Sequence, residues 1–384
     1  MRKLRDFWRL GEYNPVAMPC HARSCAGISL PSVARAIEHP GWVESHITLY
    51  EPADGAMLRL ALEELPGNGA ATVIGADIFG THQQISEMEK LVREAGIAAP
   101  VTAVVSTSPC GGGIQLAAAA GVELKPIFLQ GKIAGYSFED AEASRCVLGG
   151  LAPQDAQSPR EQQAEDVFSS IENALAVAGM GFEHVVRTWF YNDKILEWYP
   201  EFNRVRTGYF ARHGIQRMPA STGIGAPNPG RSALVAKAVA VRPAAGGARI
   251  ATVRSPLQCD AFAYGSAFSR ALAVEDSLSR TLYVSGTASI EPGGKSAFLD
   301  DPAGQIALTM DVVLGILNEA GMKIEGATRG LAYFRDPAHM ALWQDYCRRF
   351  PPLPLVAVGC HVCRDDLLFE IELDVCAPCL RKQS

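Results

Sequence analysis

The chain has 384 residues, 48% of them hydrophobic and 20% charged, with 36 glycines and a formal charge of −6. That length suits two or three compact units, and the composition describes a folded chain rich in turns, not a disordered or fibrous one. The acidic balance offers nothing to nucleic-acid phosphates, and no run of about 18 apolar residues marks a membrane span. The opening MRKLRDFWRLGEYN is broken by charges, so no secretion signal is expected there and a cytoplasmic enzyme is the default. In that reducing setting the ten cysteines are expected as free thiols, metal ligands or catalytic groups before disulfides.

Residues 1–41 mix charge, Pro and Gly without clear period and read as an irregular surface arm. HITLYEPA, AATVIGADIF and APVTAVVST read as short buried strands, with QISEMEKLVREAGI as an amphipathic helix between the last two. SPCGGGIQ (108–115) carries backbone N–H groups that could cradle an anion. No G-K-S/T follows, so it reads as a turn into a helix, IQLAAAAG. KIAGYSFED and SRCVLGGLAP then read as strands, and Ser158-Pro159-Arg160-Glu161 has capping-box spacing with Pro at the first helical position. Ala164, Val167, Phe168, Ile171, Leu175 and Ala178 share one helical face, which Gly179 closes. A strand HVVRTWFY, a helix through LEWYPEFNRVRTGYFARHG, a turn MPASTGIGAPNPG and a strand SALVAKAVAVRP complete the unit.

The same order returns after residue 260. An offset of 142 carries Gln163 to Gln305, Ala178-Gly179-Met180 to Ala320-Gly321-Met322, Arg187 to Arg329 and Tyr191 to Tyr333. The closing strands align best near an offset of 134, which sets Ala236 against Glu370. The expected fold is α/β (α+β): an N-terminal β-rich α/β region (1–129), then tandem β-β-α-β-α-β units at 130–250 and 251–384.

In the last strand Leu368, Glu370, Glu372 and Asp374 fall on one face, while Phe369, Ile371, Leu373 and Val375 fall on the other. A solvated acidic face explains this pattern. So does a carboxyl, Glu370, desolvated by the neighbouring unit until it can donate a proton. Cys360-x2-Cys363 and Cys376-x2-Cys379 have zinc-site spacing. The strand between them, however, would hold the pairs roughly 40 Å apart at about 3.3 Å per residue. No metal is expected, Cys376 to Cys379 read as a loose tail, and Cys363 falls near the mouth of the Glu370 strand. Arg187 and Arg270, each near tyrosines, are the cations assigned to an anionic ligand. No G-x-S-x-G, H-E-x-x-H or dinucleotide fingerprint is present.

The motifs VVRTWFY, MPASTGIGA, AYGSAFSRA, VSGTASI and CRDDLLFEIE, in this order over residues 185–372, resemble the chorismatase family, whose fold is related to the RidA/YjgF proteins. The resemblance does not extend before residue 130. It implies chorismate as substrate and no cofactor. Arg187 and Arg270 would meet the two carboxylates, Tyr191 and Tyr264 would hydrogen-bond beside them, and Gly286 and Thr287 would complete the substrate site. It also implies that Glu370 protonates the enolpyruvyl methylene. Gly286 and Cys363 stand where hydrolytic branches of the family tend to carry alanine, which points to the branch forming 3-hydroxybenzoate and pyruvate. There Gly286 would leave room for the ring and Cys363 would orient its hydroxyl or assist proton movement. The alternatives are a RidA-like enamine/imine deaminase, whose arginine before the last strand is missing from both MPASTG and PLVAVGC, and a non-catalytic small-ligand-binding protein. The fold also implies a possible homo-oligomer with trimer-like packing, and no nucleic-acid or membrane partner.

Overall fold

The computed structural model describes residues 32–66, 70–260 and 267–379. The first sheet contains β1 (Ser32–His39), β2 (Trp42–Tyr50), β3 (Thr72–Gly80), β4 (Val101–Val105) and β5 (Gly113–Ala120), with helices α1 (Gly55–Glu63) and α2 (His82–Glu94). Its spatial order is β1-β2-β5-β3-β4. The second contains β6 (Lys125–Leu129), β7 (Lys132–Glu139), β8 (Ala143–Leu151), α3 (Arg160–Val177), β9 (Val185–Asn192), α4 (Tyr199–Arg212), β10 (Ala220–Gly225) and β11 (Leu234–Pro243). The third contains β12 (Arg249–Val253), β13 (Ala271–Glu275), β14 (Ser279–Ala288), α5 (Pro302–Glu319), β15 (Ala327–Phe334), α6 (Met340–Cys347), β16 (Leu355–Gly359) and β17 (Phe369–Pro378).

Read from the outer edge, the second sheet runs β6-β7-β8-β11-β9-β10 and the third β12-β13-β14-β17-β15-β16. The first follows the same scheme with one fewer edge strand. The tandem units are therefore three, and the N-terminal region is a further copy that its sequence does not reveal. Ladder register confirms it: each repeat skips one residue at the same point of the strand after its first helix, at Ile74, Val186 and Thr328. The seams between sheets fall at 121–124 and 244–248 instead of 129/130 and 250/251. The reason is that β6 pairs with β7 and Arg249 already pairs with Glu275.

Several local expectations change for identifiable reasons. SVARAIEH is not an irregular arm but β1, paired residue for residue with β2. GIQLAAAA is a strand, not a helix, because it lies mid-sheet, bonded to both β2 and β3. Ladder bonds on both edges and burial on both faces outweigh the few tenths of a kcal/mol per residue by which alanine prefers a helix. The glycines before it serve close backbone approach, not anion binding. Gly111 and Gly112 have φ of +82° and +105°, and a Cβ on either would collide with the carbonyl of Ala357 or Phe79. The Pro/Gly stretches before the closing strands contain the short parallel strands β10 and β16, which pair with β9 and β15. Ser158 does not cap α3; its hydroxyl donates to the Asp155 carbonyl. Gln163 and Gln305 occupy matching positions, each accepting a backbone N–H, from Ala233 and Leu368 respectively, just before its repeat's last strand.

Each repeat buries a helix layer against the outer face of its sheet, and the three inner faces meet around a shared core. Contacts close in a ring: β4 lies against β8, β10 against β14, and β16 against β2. This is the head-to-tail closure of a cyclic trimer, built within one chain.

Candidate active site

Alternation along β17 sends Phe369, Ile371, Leu373 and Val375 into the helix-covered core of the third repeat. Glu370, Glu372 and Asp374 point the other way, toward the other two repeats, and are 4%, 0% and 3% exposed. The acidic face is therefore not solvated. Buried charge is tolerable only when paired, and Arg187, Arg329 and Lys237 supply three cations against Glu372, Asp374 and Asp77. Arg187 Nη2 donates to Glu372 Oε2 at 2.5 Å, and Arg329 donates to Asp374 at 3.1 Å and to Glu372 at 3.3 Å. Lys237 is bonded to Asp77. Trp189 Nε1 donates to Glu372 at 2.7 Å. Burial works against the charge of Glu372, yet the two guanidiniums with the Thr222 and Trp189 bonds hold it below the ordinary carboxylate range.

Glu370 has no such escort. Burial first, then the nearby charge of Glu372, push its carboxyl up to about 8 against the opposing pull of Arg187 and Arg270. Near neutrality it holds its proton. It reaches a cavity of about 200 Å³ on the seam between the second and third repeats. From the second repeat come Tyr199, Asn203 and Arg206 of α4 with Ser221 and Gly223 of β10; from the third come Phe268, Arg270, Gly286, Cys363, Arg364 and Glu370. The seam is stitched by paired backbone bonds between Gly225 and His361, by Ser269 N–H to the Pro219 carbonyl, and by Ser221 N–H to Ser285 Oγ.

Ladder register shows what stands at the position of Glu370 in the other two repeats. Glu370 lies opposite Tyr333 on β15; the corresponding positions are Val235, opposite Tyr191, and Gly113, opposite Phe79. The residue matching Glu370 is thus Val235 and not Ala236, because the closing strands are offset by one more residue than the sequence alignment indicates.

Of the residues singled out from sequence, Glu370, Arg270, Gly286 and Cys363 meet at the cavity. Arg187 does not line it: fully buried, its guanidinium donates to Glu372 and Thr222. Tyr191 is buried in the shared core, where burial and the charge of Glu372 hold its phenol well above the usual range. Thr287 is fully buried and donates to the Ser285 carbonyl. Tyr264 lies outside the described residues. At Gly286, in the cavity wall, a Cβ would overlap Glu370 Oε1, so its bareness makes room for the acid itself. The Cys363 thiol is pushed up to about 12 by burial and by Glu370, which keeps it neutral.

Arg206 and Arg364 also line the cavity, without a signal in the sequence. Arg206 sits among the charges of an ordinary amphipathic helix, and Arg364 in a polar loop beside two aspartates. Only the seam brings them to Arg270. Phe268 lies between two of these cations, 5.7 Å from Arg206 and 5.5 Å from Arg270. Nor do Cys376 to Cys379 form a loose tail: Cys376 pairs with Thr281 within the sheet, and the Cys379 N–H donates to the Leu278 carbonyl. Among the described residues no helix is long and apolar enough to cross a membrane.

A sequence-family profile, Endoribonuclease L-PSP, matches residues 145–239, within the second repeat. No curated protein sequence matches the chain. A crystal structure of chorismatase superposes with a TM-score of 0.63 at 18% identity, covering 90% of this chain and 98% of that one. An L-PSP endoribonuclease-like protein from Entamoeba histolytica matches with a TM-score of 0.29 at 19% identity, covering 33% of this chain and 98% of that one. RidA from an Antarctic Psychrobacter bacterium matches with a TM-score of 0.28 at 18% identity, with the same shares covered. The chain has a chorismatase-like, RidA-type fold.

Proposed function

We propose that the protein is an enzyme that cleaves the enolpyruvyl ether of chorismate by general acid catalysis, releasing pyruvate and 3-hydroxybenzoate. The observation that carries this reading is the buried Glu370 carboxyl, its pKa pushed up to about 8, at a cavity lined by Arg206, Arg270 and Arg364. A substrate with two carboxylates suits guanidinium groups approaching from both repeats. Arg270 keeps the role expected of it, and Arg206 replaces Arg187 as its counterpart across the seam.

Glu370 gives its proton to the terminal methylene of the enol ether, and positive charge develops on the carbon that bears the ether oxygen. The neighbouring ring hydroxyl displaces the side-chain oxygen at the ring carbon, and pyruvate departs. The oxygen then bridges the two ring carbons as a protonated epoxide; its original C–O bond breaks, leaving the hydroxyl on the carbon that held the ether, and loss of that carbon's hydrogen as a proton to the Glu370 carboxylate restores aromaticity. Atoms balance without water. A donor of this kind contributes about 10²–10⁴-fold in rate. Cys363, neutral beside Glu370, acts as a hydrogen-bonding group and not as a thiolate.

Incubating the purified protein with chorismate and separating the products tests substrate and branch together. Equal amounts of pyruvate and 3-hydroxybenzoate are expected. A dihydroxycyclohexadiene carboxylate in place of the phenol would refute the branch, and unconsumed chorismate would refute the reading.

A further inference from the structure

Glu372 lies two residues from Glu370 on the same strand and the same face, about 7 Å along the chain, and is fully buried. Two carboxyls so placed differ completely in their surroundings. Four donors converge on Glu372: Arg187 Nη2, Trp189 Nε1, Arg329 Nη2 and the Thr222 hydroxyl. Its oxygens are saturated, and it has no position from which to take or give a proton. The Thr222 hydroxyl is likewise fully used. It donates to Glu372 and accepts from Arg187 Nη2 at 2.8 Å and from the Gly286 N–H at 3.1 Å. Gly286 is the residue whose missing side chain gives Glu370 its place. An unbroken path therefore runs from the buried charge network through Thr222 to the wall on which the acid rests.

Resting on the function proposed above, we propose that Glu372 is a positioning residue for Glu370: its permanent negative charge keeps the proton on the acid, and Thr222 ties that charge to the Gly286 backbone. After Glu370 has protonated a substrate, its carboxylate stands beside a second fixed negative charge. That repulsion favours recovery of a proton and resets the site. Arg187 of β9, Arg270 before β13 and the Cys360 thiol after β16 also act on Glu370, and Arg206 of α4 lines the same cavity. Arg364 and Cys363 face it from the loop before its own strand, and Tyr333 lies opposite it on β15. Only Glu372 in this set carries a permanent negative charge.

The test reads Glu370 directly, without substrate. Infrared difference spectra between each protein and its Glu370→Gln counterpart isolate the protonated carboxyl band, which is followed as a function of pH. In Glu372→Gln the midpoint of that band should fall by about one to two pH units, the size of one unit charge acting over about 7 Å in a partly shielded interior. If Glu372→Gln does not fold, Glu372→Gln/Arg187→Gln removes one charge of each sign, and the midpoint should move the same way by less. An unchanged or raised midpoint in the folded variant overturns the proposal. Because turnover is not needed, failure to consume chorismate would refute the function while leaving this measurement intact.

Discussion

Replacing Glu370 with glutamine keeps the shape of the side chain and removes its dissociable proton. In the folded chain the carboxyl rises from 4.5 to about 8, a shift worth roughly 5 kcal/mol between its charged and neutral forms. A raised carboxyl pKa means that the folded state keeps a proton that the unfolded chain has released. Its contribution is fully present below pH about 4.5 and is lost as pH climbs through about 8, at about 1.4 kcal/mol per pH unit. The glutamine variant escapes that loss. Denaturant unfolding of both proteins at pH 5 and pH 8 should show the variant gaining roughly 4 kcal/mol on the wild type between the two conditions, since every other titration cancels. Pyruvate release by the wild type should fall above pH about 8 as the acid ionises, and below that pH the variant should be about 10²–10⁴-fold slower. Parallel stability curves, or a variant with the wild-type rate, would refute the assignment of a buried, protonated acid at this position.

Arg187→Met should cost about 3–5 kcal/mol of stability by thermal or denaturant melting, because Glu372 would be left buried without its closest cation. Gly286→Ala should lower the melting temperature only slightly but cut turnover roughly 100-fold, since the new methyl overlaps Glu370 Oε1 and crowds the Thr222 methyl. Arg206→Ala should raise KM for a dicarboxylate substrate more than it lowers kcat, as expected for a ligand-holding cation. Gly112→Ala should fold poorly, measured as soluble yield and melting temperature, because its φ of +105° and the adjacent Phe79 carbonyl exclude a side chain.

The sequence shows a duplication wherever side chains repeat at a constant offset. Gln163 with Gln305 and Tyr191 with Tyr333 make the second and third repeats visible because those residues do the same work twice. The first repeat keeps the topology and the one-residue bulge at Ile74 but places Gly75, Asp77 and Phe79 where the other copies carry Arg, Trp or Leu, and Tyr. A backbone pattern can persist after every side chain that marks it has changed, and composition does not record hydrogen-bond order.

Local chemistry is what the sequence by itself determined: alternation along β17 put the acids on one face, helical spacing put Phe168 and Ile171 against the sheet, and the motif set pointed to Glu370. Only the tertiary structure decided which charges pair with one another in the core and which line the cavity. Arg187 and Arg270 look alike in sequence, yet one is consumed by Glu372 in the centre of the ring while the other lines the cavity with Arg206 and Arg364. The physical reason is that a charge acquires its role from its neighbours and its distance from water, and here those neighbours belong to other repeats, far away along the chain.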